Sequence, residues 1–170
     1  MDDLVRETKA SRHAIYSECG NKDELFLACL EIYQREVVDP AFKQVEAKGA
    51  TLETIEDYFK VLIDLAEQEG PPYPGCLVAN TMTETGPHDE KVLAAVRAHN
   101  ERLKNGFLNA LRNENTRERK LLQSELEALA AFLATSTQGL WSFSRTLTGT
   151  RDMHQYAETL IQLTRKRIYE

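Results

Sequence analysis

Cys76 and His88 are the two residues of this 170-residue chain whose types could pair as nucleophile and base, a thiolate attacking while an imidazole carries the proton. No glycine-framed nucleophile turn or oxyanion-hole signature surrounds them, and Glu84 and Asp89 complete no catalytic constellation. His88 and His99 could share a helical face as metal ligands, yet no third ligand stands at a matching spacing. The three cysteines, Cys19, Cys29 and Cys76, fit neither a zinc site nor a disulfide framework and read as reduced structural thiols. No catalytic residue, metal ligand or cofactor is therefore expected. Residues 9–26, KASRHAIYSECGNKDELF, offer a different chemistry: a small-residue turn, an Arg-His pair, a Tyr and a second helix start. Arg12 could fork onto a guanine edge and His13 could donate or accept, although the same residues would equally serve as a solvated surface corner.

The elements that must position these residues are helical. The chain is 42% hydrophobic and 28% charged, the balance of an ordinary globular protein. A formal net charge of -6 excludes a surface that coats polyanions throughout but leaves room for a local basic face. No apolar run reaches a membrane span, and the acidic start MDDLVRETK lacks the basic and apolar regions of a signal peptide. A cytoplasmic protein with no membrane partner is expected.

The apolar spacing is helical nearly everywhere, which predicts an all-α chain of eight helices. A short segment over 2–9 precedes a second one starting at Ser11, whose hydroxyl is placed to cap it. Gly20 ends that segment, and Asn21 with Glu24 forms a capping-box pair for a linking helix over 22–38. Leu25, Cys29, Tyr33 and Val37 give this helix an inner row, and Pro40 marks its end. Thr51 opens a helix with Leu52, Ile55, Phe59, Leu62 and Ala66 in one stripe, stopped by EGPPYPG. A small-residue helix follows from Cys76 to a stop at Gly86-Pro87. Asp89 is placed to cap a long helix to about Leu111, and residues 121–147 form the most apolar one. Asp152 and Gln155 are placed to cap the last.

The segment LVRETKASRHAIYSECGNKDELF resembles the helix-turn-helix of the TetR family of transcriptional regulators. Val5, Ala10, Ser11, Ile15, Tyr16, Cys19, Asn21, Lys22 and Leu25 fall on the family's positions. The stretches PGCLVANTMTETGPHDEKVLAAVRAHNERL and LAAFLATSTQGLWSFSRTL are similar to the ligand-binding and dimerisation bundle of one subgroup. The resemblance implies a ligand-responsive repressor that binds a palindromic operator as a homodimer and is released by a small-molecule inducer. It divides the chain into a helix-turn-helix head with its linking helix, 1–38, and a ligand-binding and dimerisation body, 39–170.

In such a head the recognition helix enters the major groove, with its inward side chains held against the preceding helix. Ile15 and Cys19 would face inward, leaving Arg12, His13 and Ser17 toward the bases, while Ser11, Tyr16 and Lys22 match phosphate-contacting positions of the family. The head is incomplete by the family pattern, which places a further helix before the segment beginning at Met1. Lys9 also stands where the family has a turn glycine, and Cys19 where it has Phe, which predicts backbone strain and a thin core. A ligand cavity is expected among Phe59, Leu62, Tyr73, Met82, Phe107, Phe132 and Trp141. A dimer interface is expected on Ala131, Ala134, Thr135, Gln138, Gly139, Leu160 and Leu163, whose small and apolar surfaces permit close helix approach. The alternative reading is a dimeric ligand- or partner-binding module that no longer binds DNA.

Overall fold

The computed structural model describes residues 1–84, 89–115 and 121–170. The expected stop at Gly86-Pro87, His88 and the connection over 116–120 lie outside the described residues. Among those residues the chain is helical with no strand. Its helices are α1 (Asp2–Thr8), α2 (Arg12–Cys19), α3 (Lys22–Tyr33), α4 (Asp39–Phe42), α5 (Leu52–Glu69), α6 (Leu77–Glu84), α7 (Glu90–Asn115), α8 (Gln123–Ser144) and α9 (Arg151–Tyr169). A π turn over Gln34–Val38 joins α3 to α4, so the two form one continuous link and the described chain has eight helical elements.

Pro40 does not end this link. Within the π turn the Asp39 N–H reaches back to the Gln34 carbonyl, and the shifted register places Pro40 in the first turn of α4. A missing N–H is tolerated there. The inner face of α3 also differs from the expected row. Leu30 is buried, with Phe26, Leu27 and Tyr33 packed alongside, whereas Cys29 is exposed. The cause is tertiary: α3 packs on α6 and α7, and its inward face follows those helices.

Local capping fixes the other boundaries. Ser11 Oγ accepts from Ala14 N–H at 3.1 Å, Asn21 Oδ1 accepts from Glu24 N–H at 3.0 Å while Glu24 answers from Asn21 N–H, and Asp89 Oδ1 accepts from the first turn of α7. Helix α5 begins with Leu52 N–H donating to Glu114 Oε2 at 3.1 Å, a buried carboxylate set against a positive helix end. Helix α8 stops at Ser144 rather than 147, where the Ser144 and Thr146 hydroxyls donate to the carbonyls of Trp141 and Phe143 and compete with the helix ladder. At α9 the capping position is Thr150, with Asp152 inside the first turn.

The body is held by an aromatic cluster. Phe42, Tyr58, Phe59 and Phe107 lie with ring centroids 5.3–6.4 Å apart, mostly edge to face. Gly106 makes this possible, because a Cβ there would stand 2.7 Å from the Phe42 ring. A second cluster, Leu30, Cys76, Val78, Ala79, Val92 and Val96, joins α3 to α6 and α7. Arg102 ties the link to α7, with Nη1 on Asp39 at 2.5 Å and Nε on Glu46 at 2.6 Å.

The head is thin by comparison. No residue before Leu30 is buried, so α1 and α2 rest on half-buried contacts and on the α3 joint. Lys9 takes φ 57 and ψ 12 at the turn between α1 and α2, a left-handed conformation that costs a non-glycine residue about 1–2 kcal/mol. Replacing Lys9 with Gly is expected to remove that strain and to return about half of the gain to chain entropy. The outcome is greater hydrogen-exchange protection of the amides of 12–19; reduced protection would contradict the strain.

Candidate functional site

Two sites emerge, one on the head and one in the body. On the head, Arg12 opens α2 and His13, Tyr16 and Ser17 follow on exposed positions, while Ile15 and Cys19 are half-buried on the inner side. Ser11 is engaged as the cap, and Lys22 opens α3, so the first-turn amides of two helices and two cations lie within a dozen residues. Such an arrangement can hold anions and present a guanidinium to base edges. The Arg12 guanidinium is paired with the Asp2 carboxylate of α1, both side chains mostly in solvent. That pairing holds Asp2 below its ordinary range and Arg12 above its own. An exposed pair contributes little to stability, so the guanidinium can exchange its partner for DNA.

In the body, a cavity of about 450 Å³ lies between the link, α5, the loop before α6, and α6 to α8. Leu62, Tyr73 and Trp141 line it. Phe59 and Phe107 stand instead in the fully buried aromatic cluster, Met82 packs against the second cluster, and Phe132 is 44% exposed on the outer face of α8. The link contributes Tyr33, Val37, Val38 and Ala41 to the wall, residues that the sequence reading had not placed at a cavity. At Gly75 a Cβ would stand 2.9 Å from the Trp141 carbonyl, so the loop before α6 can close on α8 only without a side chain there.

The lining is mainly apolar and aromatic, with a few polar groups. Burial pushes the Tyr33 hydroxyl up in pKa, further raised by Cys76 beside it, and burial does the same for Tyr58. Neither serves as an acid near neutral pH. His99 is 5% exposed, and its Nδ1 lies 2.6 Å from Gln34 Nε2 of the link. The Gln34 amide donates, which leaves the imidazole proton on Nε2. Burial, and then the Arg102 charge, hold the His99 pKa down to about 4. In the unfolded chain the ring titrates near 6.5, so the folded state keeps the neutral form and opposes its protonation. Stability from this group is therefore fully present above about pH 6.5 and lost as the pH falls toward about 4, a loss of about 3 kcal/mol. A His99→Gln variant is expected to show a flatter acid limb in urea midpoints over this window. An unchanged limb would contradict it.

Of the residues assigned to a dimer face, Thr135, Gly139 and Leu163 are exposed, Ala131 is half-buried, and Ala134, Gln138 and Leu160 are buried within the chain. The outer faces of α8 and α9 carry further large apolar groups, Phe132, Phe143 and Tyr156, each 41–57% exposed. Phe132 shares its helical face with Thr135, Gly139 and Phe143 at spacings of three and four, a signal that periodicity could have found.

A cluster missed at the sequence level is Asp64, Glu67 and His154, whose ligand atoms lie within 4.8 Å of one another at the α5–α9 contact. His154 Nε2 stands 3.6 Å from Glu67 Oε2, with side chains 43% and 63% exposed, the pattern of a solvated ion pair. No helix among the described residues is long and apolar enough to cross a membrane.

Comparison with known proteins gives no match to a family model and none to a curated protein. Among solved structures, the chain is similar to the regulatory protein TetR from Rhodobacter sphaeroides, with 18% identity and a TM-score of 0.79. The alignment covers 95% of this chain and 85% of that one, so the likeness takes in α1–α3 and the bundle together. The chain has the all-α fold of a TetR regulatory protein.

Proposed function

We propose that the protein is a ligand-responsive transcriptional regulator that binds a palindromic operator as a homodimer. Residues 1–38 serve as the DNA-binding head and 39–170 as the sensing and dimerisation body. The observation that carries the reading is that Tyr33, Val37 and Val38 of the link between head and body are also walls of the cavity. A molecule that fills the cavity touches the element on which the head is mounted, and so can favour one head arrangement over another.

Two further features support it. Arg12, His13, Tyr16, Ser17 and Lys22 occupy exposed positions on and just after α2, with Ser11 capping that helix. The exposed apolar residues Phe132, Phe143, Tyr156 and Leu163 on α8 and α9 provide the surface a second copy would cover. In this arrangement a ligand lowers operator affinity, and the regulator is not an enzyme.

The test is a gel shift on DNA flanking the gene, repeated at several salt concentrations, with sedimentation of the free protein alongside. A dimer that protects two half-sites about one helical turn apart, with a steep salt slope, is the expected result. A dimer that binds no DNA at the lowest salt would leave a ligand- or partner-binding module instead. A monomer at micromolar concentration would remove the assembly on which the palindrome depends.

A further inference from the structure

The chemistry of the cavity wall restricts the ligand more than its volume does. No Lys or Arg lines it, and the one carboxylate on it, Glu69, is exposed at the C-terminal end of α5. His99 is kept neutral by its burial. Tyr58, Tyr73 and Trp141 supply aromatic surface, and Val38, Leu62 and Ala66 supply aliphatic surface. An anion placed there would lose its hydration with no cation to answer it.

One polar group stands apart. Gln138 of α8 is on the cavity wall and 9% exposed, and its Oε1 is buried with no hydrogen-bond partner. An unpaired buried carbonyl is costly, and native chains keep few of them. The last side-chain torsion of glutamine is broad, so a small rotation turns the amide toward the cavity. The wall therefore offers an acceptor that lacks a donor, set among aromatic and aliphatic surface.

The geometry points to a neutral, largely aromatic ligand bearing a hydroxyl or similar N–H or O–H donor, which reaches Gln138 Oε1 while its ring packs between Trp141 and the tyrosines. This rests on the sensing role proposed above but needs no DNA to be tested. Trp141 is the single tryptophan of the chain and half-buried at the wall, so its fluorescence reports occupancy directly.

The experiment titrates the full chain with four probes on one scaffold: 4-hydroxybiphenyl, biphenyl, biphenyl-4-carboxylate and the 4-trimethylammonium biphenyl cation. The hydroxyl compound is expected to quench Trp141 with about tenfold higher affinity than biphenyl, the worth of one hydrogen bond in a dry site. The carboxylate is expected to bind at least about a hundredfold more weakly than the hydroxyl compound. In Gln138→Leu, and in the closer isostere Gln138→Met, the preference for hydroxyl over hydrogen should vanish while biphenyl still binds; the two variants guard against a misfolded one. Tightest binding by the carboxylate or by the cation would overturn the proposal, as would a hydroxyl preference that survives both variants. Quenching by none of the four would overturn it too. A failed gel shift together with the expected probe ranking would instead count against operator binding alone.

Discussion

Phe107→Ala is expected to cost the body about 3–5 kcal/mol of folding stability, a third or more of what a domain of this size holds. The Phe107 ring is fully buried. It meets Phe42 edge to face at 5.4 Å, Tyr58 at 6.1 Å, and Phe59 in a stacked arrangement at 6.4 Å. Those three rings come from α4 and α5, so removing the fourth opens a hole where the link and two body helices meet. The neighbours cannot close it cheaply, because Gly106 already draws Phe42 in as far as the α7 backbone allows. Urea unfolding followed by circular dichroism checks the value, with Phe107→Leu expected to recover more than half of it. A cost below about 1 kcal/mol would mean that the aromatic cluster does not hold the body together.

Arg12→Ala should reduce operator affinity by about 1–3 kcal/mol per head, and thus on the order of 10²–10⁴-fold for a dimer that uses two. The residue sits at the first turn of α2, where a recognition helix presents side chains to base edges. Its partner in the free protein is Asp2, mostly in solvent, so Asp2→Asn should leave affinity unchanged or raise it slightly. The pattern of loss identifies the contact: a base-reading Arg12 relaxes specificity at one position, whereas Lys22→Ala on a phosphate weakens all sequences alike. Anisotropy titrations on the operator and on single-base variants separate these outcomes. An Arg12→Ala protein with full affinity would place the reading surface elsewhere.

How much of this was legible in the sequence follows from which interactions are local. Ser11, the Asn21–Glu24 pair and Asp89 act within three residues of themselves, and each caps the helix it was expected to cap. The amphipathic stripe of α5 was equally readable because its burial follows a period of its own. The course of the link past Pro40 was not, since it depends on a π turn that no local composition announces. The cavity was legible in part. Leu62, Tyr73 and Trp141 are on its wall, but Phe59 and Phe107 differ from them only in what α4 brings against them, a tertiary fact. Phe132 was read as a lining residue for its type, while its spacing to Thr135 and Gly139 already put it on the outer face of α8. The Gln34–His99 hydrogen bond joins residues 65 apart and lies beyond any pattern argument.

The salt dependence of operator binding tests the central claim most directly, namely that this head grips DNA through the residues on and beside α2. Affinity would be measured across a series of salt concentrations for the unaltered chain and for an Arg12→Ala, Lys22→Ala double variant. Each lost phosphate or base contact by a cation should lower the log–log slope by about 0.9, so two residues on each of two heads should reduce it by about 3–4. A slope that is the same for both proteins, or no binding by the unaltered chain at the lowest salt, would contradict the account.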